Sequence, residues 1–322
     1  MVAGDRPACQ LFCVCSEWST ITLEIPSKVK PPKLLVIIGE TASGKTELAL
    51  QIAEKFNGEI ICADSATVRR EANIGSAKPT AEEQARVPHH LIDVVDPDEA
   101  FSAAQFKQLA NEAITDISAR GKLPMIVGGT GLYVDSVLYD YEFRAPADPK
   151  LRAELDALDI PKLLDRIKQL GLELGDVDIA NKRRLIRLIE TDGHKAERAE
   201  LRQNTLILGL ENDRTRLRER IEKRVDAQLA AGLEAEVRSL GERYSWDAEA
   251  LKMIAYAQWK ALFLEGARLE SVRENIVRAN MDYAKRQRTW FRRNKSIHWL
   301  HTPVNLTTVE QLVADFLGTK PS

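Results

Sequence analysis

Gly39-Glu40-Thr41-Ala42-Ser43-Gly44-Lys45-Thr46 decides the fold. It fits the pattern of two glycines separated by four free positions and followed by Lys and then Ser or Thr, the P-loop. Backbone amides of such a loop point inward and wrap phosphate oxygens, and its glycines let the backbone bend and approach closely. A helix that starts there carries partial positive charge at its first turn, which favours an anion. The mechanism requires a strand before the loop and a helix after it, and both are written in the chain. Lys33-Leu34-Leu35-Val36-Ile37-Ile38 is short, apolar and β-branched at its end, as a buried strand is. Glu47 to Phe56 places Leu48, Ile52 and Phe56 at helical spacing. The cradle therefore consists of Gly39, Thr41, Ala42, Ser43 and Gly44, with Lys45 neutralising phosphate charge and Thr46 helping to hold Mg²⁺. An ordinary glycine-rich turn is the competing reading, and it leaves the Lys-Thr pair unexplained.

The pattern repeats outward from this loop. Glu59 to Ala63 reads as a second strand ending at Asp64-Ser65, Ala103 to Ala119 as an amphipathic helix, and Pro124 to Val127 as a strand running into Gly128-Gly129-Thr130-Gly131. Alternating strands and helices predict an α/β, P-loop NTPase-like fold, a parallel sheet flanked by helices. Ligands then sit beyond the C-terminal ends of the strands, where the loops after Ile38, Ala63 and Val127 begin. Composition changes at Pro146 to Pro149, and residues 148–200 are helical and charged. Thr205 to Leu210 is strand-like again, and Arg214 to Arg293 is helical. The expected organisation is a tail over 1–32, a core from 33–145 and 201–310, and a helical insertion domain over 146–200.

With 322 residues, 44% of them hydrophobic and 29% charged, the chain has the composition of a globular protein with a sizeable core. A net charge of −2 is far from that of a dedicated nucleic-acid coat, although a balanced total can hide a basic face. Three of the four cysteines, Cys9, Cys13 and Cys15, lie near the start, and Cys62 stands alone. No disulfide framework spans the fold, which suits a reducing cytoplasm. A structural zinc site at the first three would want a fourth ligand, and no His lies near them. No apolar run approaches the ~20 residues of a membrane span. The short apolar patch from Leu11 to Val14 is too brief for a secretory signal.

Other residues carry candidate chemistry. Asp64, at the end of a strand, reads equally as a metal ligand or general base and as a helix N-cap. Thr130 reads either as a hydroxyl offered to a substrate or as part of a plain strand-to-helix turn. The adjacent His89 and His90 point apart on most backbones, which favours a structural or lining role over metal binding. Of three basic runs, Lys182-Arg183-Arg184 with Arg187 lies in the insertion. Arg214 to Arg224, interleaved with Glu219 and Glu222, reads as a solvated helix face. The third, Lys285 to Arg293, mixes cations with Trp290 and Phe291. It suits contact with RNA or pyrophosphate, or else an exposed face whose aromatics turn into the core.

Taken together, the P-loop, Asp64-Ser65, Ile74 to Pro79, Pro88 to Asp93, Val127 to Tyr133, Asn181 to Glu190, Gly232 to Val237, and Lys285-Arg286-Gln287 with Thr289-Trp290 and Arg292 resemble, in order, the tRNA dimethylallyltransferase family. The P-loop alone is generic; the ordered set is specific. The resemblance implies prenyl transfer from dimethylallyl pyrophosphate to the exocyclic amine of the adenosine 3′ to the tRNA anticodon, with Mg²⁺. The two substrates enter opposite ends of a channel, and the insertion grips the anticodon stem-loop. Residue by residue it makes Asp64 the general base and Thr130 a residue positioning the amine. Arg286 joins the P-loop at the pyrophosphate. Lys182, Arg183, Arg184, Arg187, Lys285, Gln287 and Arg292 contact tRNA. A cytoplasmic monomer is expected. The chain departs from the family at Glu40, where Pro is usual, at Arg69, where Tyr is usual, and at Asn73 and Asn181, where Asp is usual. It departs again at Ala255, where Gly is usual. A P-loop kinase for a small metabolite, an adenylate prenyltransferase acting on free nucleotide, and an RNA-binding protein on a decayed enzyme scaffold are the alternatives.

Overall fold

A computed structural model describes residues 31–143, 148–194, 197–266 and 268–319. The tail and the Cys9, Cys13, Cys15 cluster lie outside them. Strand β1 (Leu34–Gly39) is buried on both faces. Leu34, Val36 and Ile38 join one core, and Leu35 and Ile37 join the core on the opposite side. A strand covered on both faces reads as a continuous apolar run, which is why no alternation marks it. Each such side chain withdrawn from water stabilises the fold by about 1.5–3 kcal/mol.

The remaining elements follow in chain order: α1 (Lys45–Phe56), β2 (Gly58–Ala63), α2 (Ala81–Arg86), β3 (His89–His90), α3 (Ala103–Ala119), β4 (Leu123–Gly128) and α4 (Gly131–Leu138). Then come α5 (Pro149–Asp156), α6 (Ile160–Gln169), α7 (Lys182–Glu190), β5 (Thr205–Glu211), α8 (Arg214–Ala230), α9 (Leu233–Tyr244), α10 (Lys260–Glu265), α11 (Leu269–Phe291), β6 (Ile297–His301) and α12 (Leu306–Leu317). The six strands form one parallel sheet in the order β3-β2-β4-β1-β5-β6. Helices α3 and α4 cover one face together with Phe291 of α11, and α1 and α12 cover the other. Strand β1 lies between β4 and β5, so the chain winds away from it in both directions. The crevice beyond its carboxyl end is where open parallel sheets bind ligands.

Two further groups of helices are built beside the sheet. Helices α8, α9 and α11 close around their own core, which includes Leu217, Ile221, Tyr256 and Trp259. Helices α5, α6 and α7 close around another, with Leu155, Leu163, Ile167, Leu185 and Ile189. Asp148, Asp159 and Asn181 cap the three, each side chain accepting a backbone N–H of the first turn. At Asn181 the amide thus fills the capping role that the usual Asp would fill. The segment leaves and rejoins the core at one place. Glu142 and Glu197 bridge in antiparallel fashion, and the Ala199 and Arg202 amides donate to the carbonyls of Tyr139 and Leu138 at 2.8 and 2.7 Å.

Candidate active site

The P-loop takes the shape its sequence predicts. Ala42 (φ 57°) and Gly44 (φ 95°) are left-handed, the turn-by-turn alternation that lines up amides as an anion nest. No side chain caps the N-terminus of α1, so that turn is open to an anion. Lys45 folds back onto its own loop, donating to the carbonyls of Gly39 at 3.1 Å and Glu40 at 2.5 Å. Burial pushes its ammonium down to about 8, against the opposing pull of Asp64. A phosphate placed in the loop supplies the counter-charge that the buried lysine lacks.

The loop is braced from afar. Gln287 of α11 accepts the Thr41 amide at 2.8 Å and donates to the Gly129 carbonyl at 2.9 Å, so one amide side chain joins the loops after β1 and β4. A Cβ at position 129 would lie 2.1 Å from Gln287 Nε2, so a larger residue there would have to push that amide out of its bridging position. From α8, Arg220 donates to the Ala42 carbonyl at 2.7 Å and Arg224 to Thr41 Oγ1 at 3.3 Å. The reading of Arg214 to Arg224 as a solvated face is therefore corrected for these two residues. They are four apart on one side of α8, beside the buried Ile221 and Val225, while Glu219 lies on another side. That shared spacing was the available signal.

Glu40 does not confront the phosphate site. Its carboxylate is buried and takes a bidentate pair from Arg288, at 2.5 and 3.0 Å. Asn73 is likewise accommodated: its amide oxygen accepts from Lys78 Nζ at 2.8 Å. The Glu236 carboxylate gathers the amides of Asn73, Ile74 and Gly75 together with the Tyr256 hydroxyl. This explains two motifs at once, since the Gly232 to Val237 segment holds the Ile74 to Pro79 loop in place. Ala255 adopts φ 74°, the conformation that the glycine usual at this position takes without strain.

Asp64 lies at the meeting of two cavities. One, of about 670 Å³, is lined by Thr41, Lys45 and Thr46 and by the apolar Ile60, Cys62 and Val127. The other, of about 1200 Å³, is lined by Arg69, Phe101, Tyr133, Arg183 and Arg286 among others. Thr41, Asp64, Ser76, Arg224 and Tyr283 line both. One carboxylate oxygen of Asp64 accepts the Ala66 amide at 2.8 Å, which fixes the side chain and leaves its second oxygen for chemistry. The helix N-cap reading of Asp64 is corrected: the residues after it form a turn and no helix starts there, so its carboxylate shapes a turn. Thr130 Oγ1 accepts the Ser65 amide at 3.0 Å and lines neither cavity, so it braces the Asp64 turn from behind. Tyr283, which the sequence reading missed, stands at the junction with its phenol pushed up to about 12 by burial. Cys62 is buried, and its thiol is also pushed up to about 12.

The basic residues separate by location. Arg183 and Arg184 are exposed on α7, and Arg183 reaches the larger cavity. Lys182 donates to the Asp156 carbonyl at 2.6 Å, and Arg187 pairs with the buried Glu190 at 3.3 Å, so both serve the helical segment itself. Arg286 lines the larger cavity rather than the P-loop side and lies 5.6 Å over the Tyr283 ring. Lys285 is exposed, Gln287 is buried as described, and Arg292 pairs with Glu211 at 2.6 Å. Trp290 and Phe291 turn inward, Trp290 donating to Asp135 at 2.9 Å. His89 and His90 do point apart, to the Val87 carbonyl and to Glu59. Among the described residues no group of three His, Cys, Asp or Glu side chains is arranged to hold a metal, and no helix is long and apolar enough to cross a membrane.

The IPP transferase family model matches residues 67–294. A tRNA dimethylallyltransferase of Bacillus licheniformis is 40% identical over 313 aligned residues, covering 91% of this chain and 99% of its own. One of Staphylococcus aureus is 40% identical over 288 residues, covering 84% and 92%. Among solved structures, the full-length tRNA isopentenylpyrophosphate transferase of Bacillus halodurans aligns with a TM-score of 0.70 at 35% identity, covering 89% of this chain and 97% of its own. A eukaryotic dimethylallyltransferase acting on tRNA aligns with a TM-score of 0.74 at 25% identity, covering 90% and 81%.

Proposed function

The chain belongs to the IPP transferase family, and on that premise we propose that it transfers a dimethylallyl group from dimethylallyl pyrophosphate to the exocyclic amine of the adenosine 3′ to the anticodon of tRNA. The observation that carries this reading is Asp64, shared between a cavity containing the phosphate cradle and a larger polar one. An exocyclic amine is a poor nucleophile because its lone pair is delocalised into the ring. Asp64 accepts its proton as nitrogen bonds to the first carbon of the prenyl chain. The carbon–oxygen bond to pyrophosphate breaks, and the leaving group departs with the electron pair. Lys45 and the amides of the P-loop hold that growing negative charge, the interaction with the greatest leverage on the barrier. Thr130 keeps Asp64 aligned through Ser65.

The donor set fits a hydrated Mg²⁺. The Thr46 hydroxyl and a single carboxylate, Asp64, line the cradle cavity, and this ion commonly takes few protein ligands together with water and substrate phosphate. Thr46 would hold it, and when bound it supplies further charge neutralisation at the pyrophosphate. The target base must leave its stack to reach Asp64, so RNA has to be gripped separately. The helical segment within 146–200, with Arg183 and Arg184, supplies that grip, joined by Lys285 and Arg286 of α11. We place the protein in the cytoplasm as a monomer. A kinase is not favoured, because the second cavity opens onto a cationic wall suited to RNA.

The test is prenyl transfer with purified protein, Mg²⁺, labelled dimethylallyl pyrophosphate and unmodified tRNA bearing adenosine 3′ to the anticodon. Label on tRNA is expected. Label on free AMP instead would make it a nucleotide enzyme, and ATP turnover would make it a kinase.

A further inference from the structure

The larger cavity holds more positive charge than the reaction uses. Arg69, Arg183, Arg224, Lys252 and Arg286 line it against two carboxylates, Asp64 and Glu249, a surplus of three charges. Most of these cations have a visible occupation. Arg183 and Lys252 share Glu249, at 3.6 and 2.6 Å, and Arg224 holds Thr41. Arg69 differs. It lies five residues beyond Asp64 on the same turn and is only 6% exposed. Nη1 is anchored by the carbonyls of Glu99 at 2.5 Å and Asp96 at 3.5 Å, while the residue's own carbonyl is held by Lys78 at 2.8 Å. Yet its Nε–H is buried and has no partner among the described residues.

Burial is costly for this guanidinium, and the carboxylate that does most to offset it, Glu249, is already shared with Arg183 and Lys252. With Nη1 anchored and Nε shut in by the chain, Nη2, which has no hydrogen bond among the described residues, is the nitrogen left to meet a ligand in the cavity, where a guanidinium N–H makes a charge-assisted bond to phosphate. The surrounding surplus of positive charge selects an anion over a neutral base edge.

We propose that Arg69 binds a backbone phosphate of the RNA strand beside the target adenosine, through Nη2. This rests on the reading that the larger cavity admits the flipped nucleotide. A base turned out of its stack brings its flanking phosphates to the wall of the pocket that receives it. Fixing one of them sets how deeply the exocyclic amine approaches Asp64. Arg69 is therefore a positioning residue as well as a binding one. The tyrosine usual here in the family has no charge to offer, so the contact is this chain's own.

The experiment uses the full chain and a synthetic anticodon stem-loop in which each phosphate flanking the target adenosine is replaced, one at a time, by an uncharged methylphosphonate. Binding and single-turnover transfer are compared for the parent, Arg69→Lys and Arg69→Gln, with pyrophosphate affinity and thermal midpoint as controls on folding. In the parent, one replacement is expected to weaken binding about tenfold. Both variants should bind intact RNA about tenfold less well, raise KM more than they lower kcat, and lose less than about twofold more from that same replacement. Equal losses in parent and variants, or a parent indifferent to both replacements, would overturn the assignment. So would a loss that follows the identity of the neighbouring base rather than the phosphate charge. Should Arg69→Gln fail to fold, Arg69→Lys, which keeps a donor for Glu99 and Asp96, decides. A parent that binds no stem-loop and transfers no prenyl group defeats the functional reading itself, which is a different result from any of these.

Discussion

The loop from Gly39 to Thr46 and the helix from Lys182 to Glu190 both present positive charge, and they are built in opposite ways. Three residues of the loop are braced by distant parts of the chain: Thr41 by Gln287 and Arg224, Ala42 by Arg220, and Glu40 by Arg288. Helix α7 stands on a small core of its own, with Leu185, Ile186 and Ile189 beneath and Arg183 and Arg184 exposed above. The loop concentrates its work in a few fixed atoms. On the proposed function, the helix would spread its work over exposed side chains, where each contact is weak, additive and screened by salt. Damage to the first should be steep and specific, and damage to the second graded.

The sharpest test is Asp64→Ala. It is expected to lower the single-turnover rate about 10³-fold while stem-loop binding, measured directly, stays within about twofold. If binding collapsed and the rate of bound complex held, the contrast would be lost.

Lys45→Met comes next, with pyrophosphate affinity expected to fall about 10- to 100-fold by calorimetry. Its pH dependence sharpens the point. Lys45 is held down to about 8 by burial, and bound pyrophosphate favours the ammonium. Affinity in the parent should therefore weaken as pH rises through 8, since binding then requires proton uptake. The variant should lack that limb; a parent curve flat across pH 7–9 would contradict the assignment.

Charge reversal at Arg183 and Arg184 together should weaken tRNA binding about tenfold and make log Kd less steep against log salt, by about 1.5. Transfer at saturating RNA should change little. An unchanged salt slope would remove α7 from the RNA face.

The smallest effect is expected at Ala255→Gly. Ala255 sits at φ 74°, where a Cβ is crowded, and glycine should stabilise the fold by about 0.5–1 kcal/mol in urea unfolding. Destabilisation would mean that the entropy of glycine outweighs the strain relieved.

What the sequence made legible follows the same division. Strand β1, the loop and α1 were readable because local pattern alone makes them, and α3 from Ala103 to Ala119 was read to its ends. Strand β6 was not, since Ile297-His298-Trp299-Leu300-His301 is an edge strand whose exposed His298 and His301 fall on opposite faces, leaving neither an apolar run nor a clean alternation. Strand β3 is two residues long and exists only because β2 lies beside it. Arg220 and Arg224 looked solvated because glutamates interrupt their run; only the packing of α8 decides which side faces the loop. Glu40 read only as a departure from the family, because its partner Arg288 is 248 residues away. Such pairings are set by tertiary structure, and no window along the chain contains both members.

The antiparallel bridge between Glu142 and Glu197 has a consequence of another kind. The chain departs from the sheet and returns to it at adjacent points, so the sheet's connectivity does not pass through the helices between. A short turn could join the two sides without rethreading a strand. In engineering terms, the segment is a cartridge: it can be lengthened, shortened or exchanged while the sheet and the loops carrying Lys45 and Asp64 are inherited, with Arg183 the residue that a replacement would have to restore to the larger cavity.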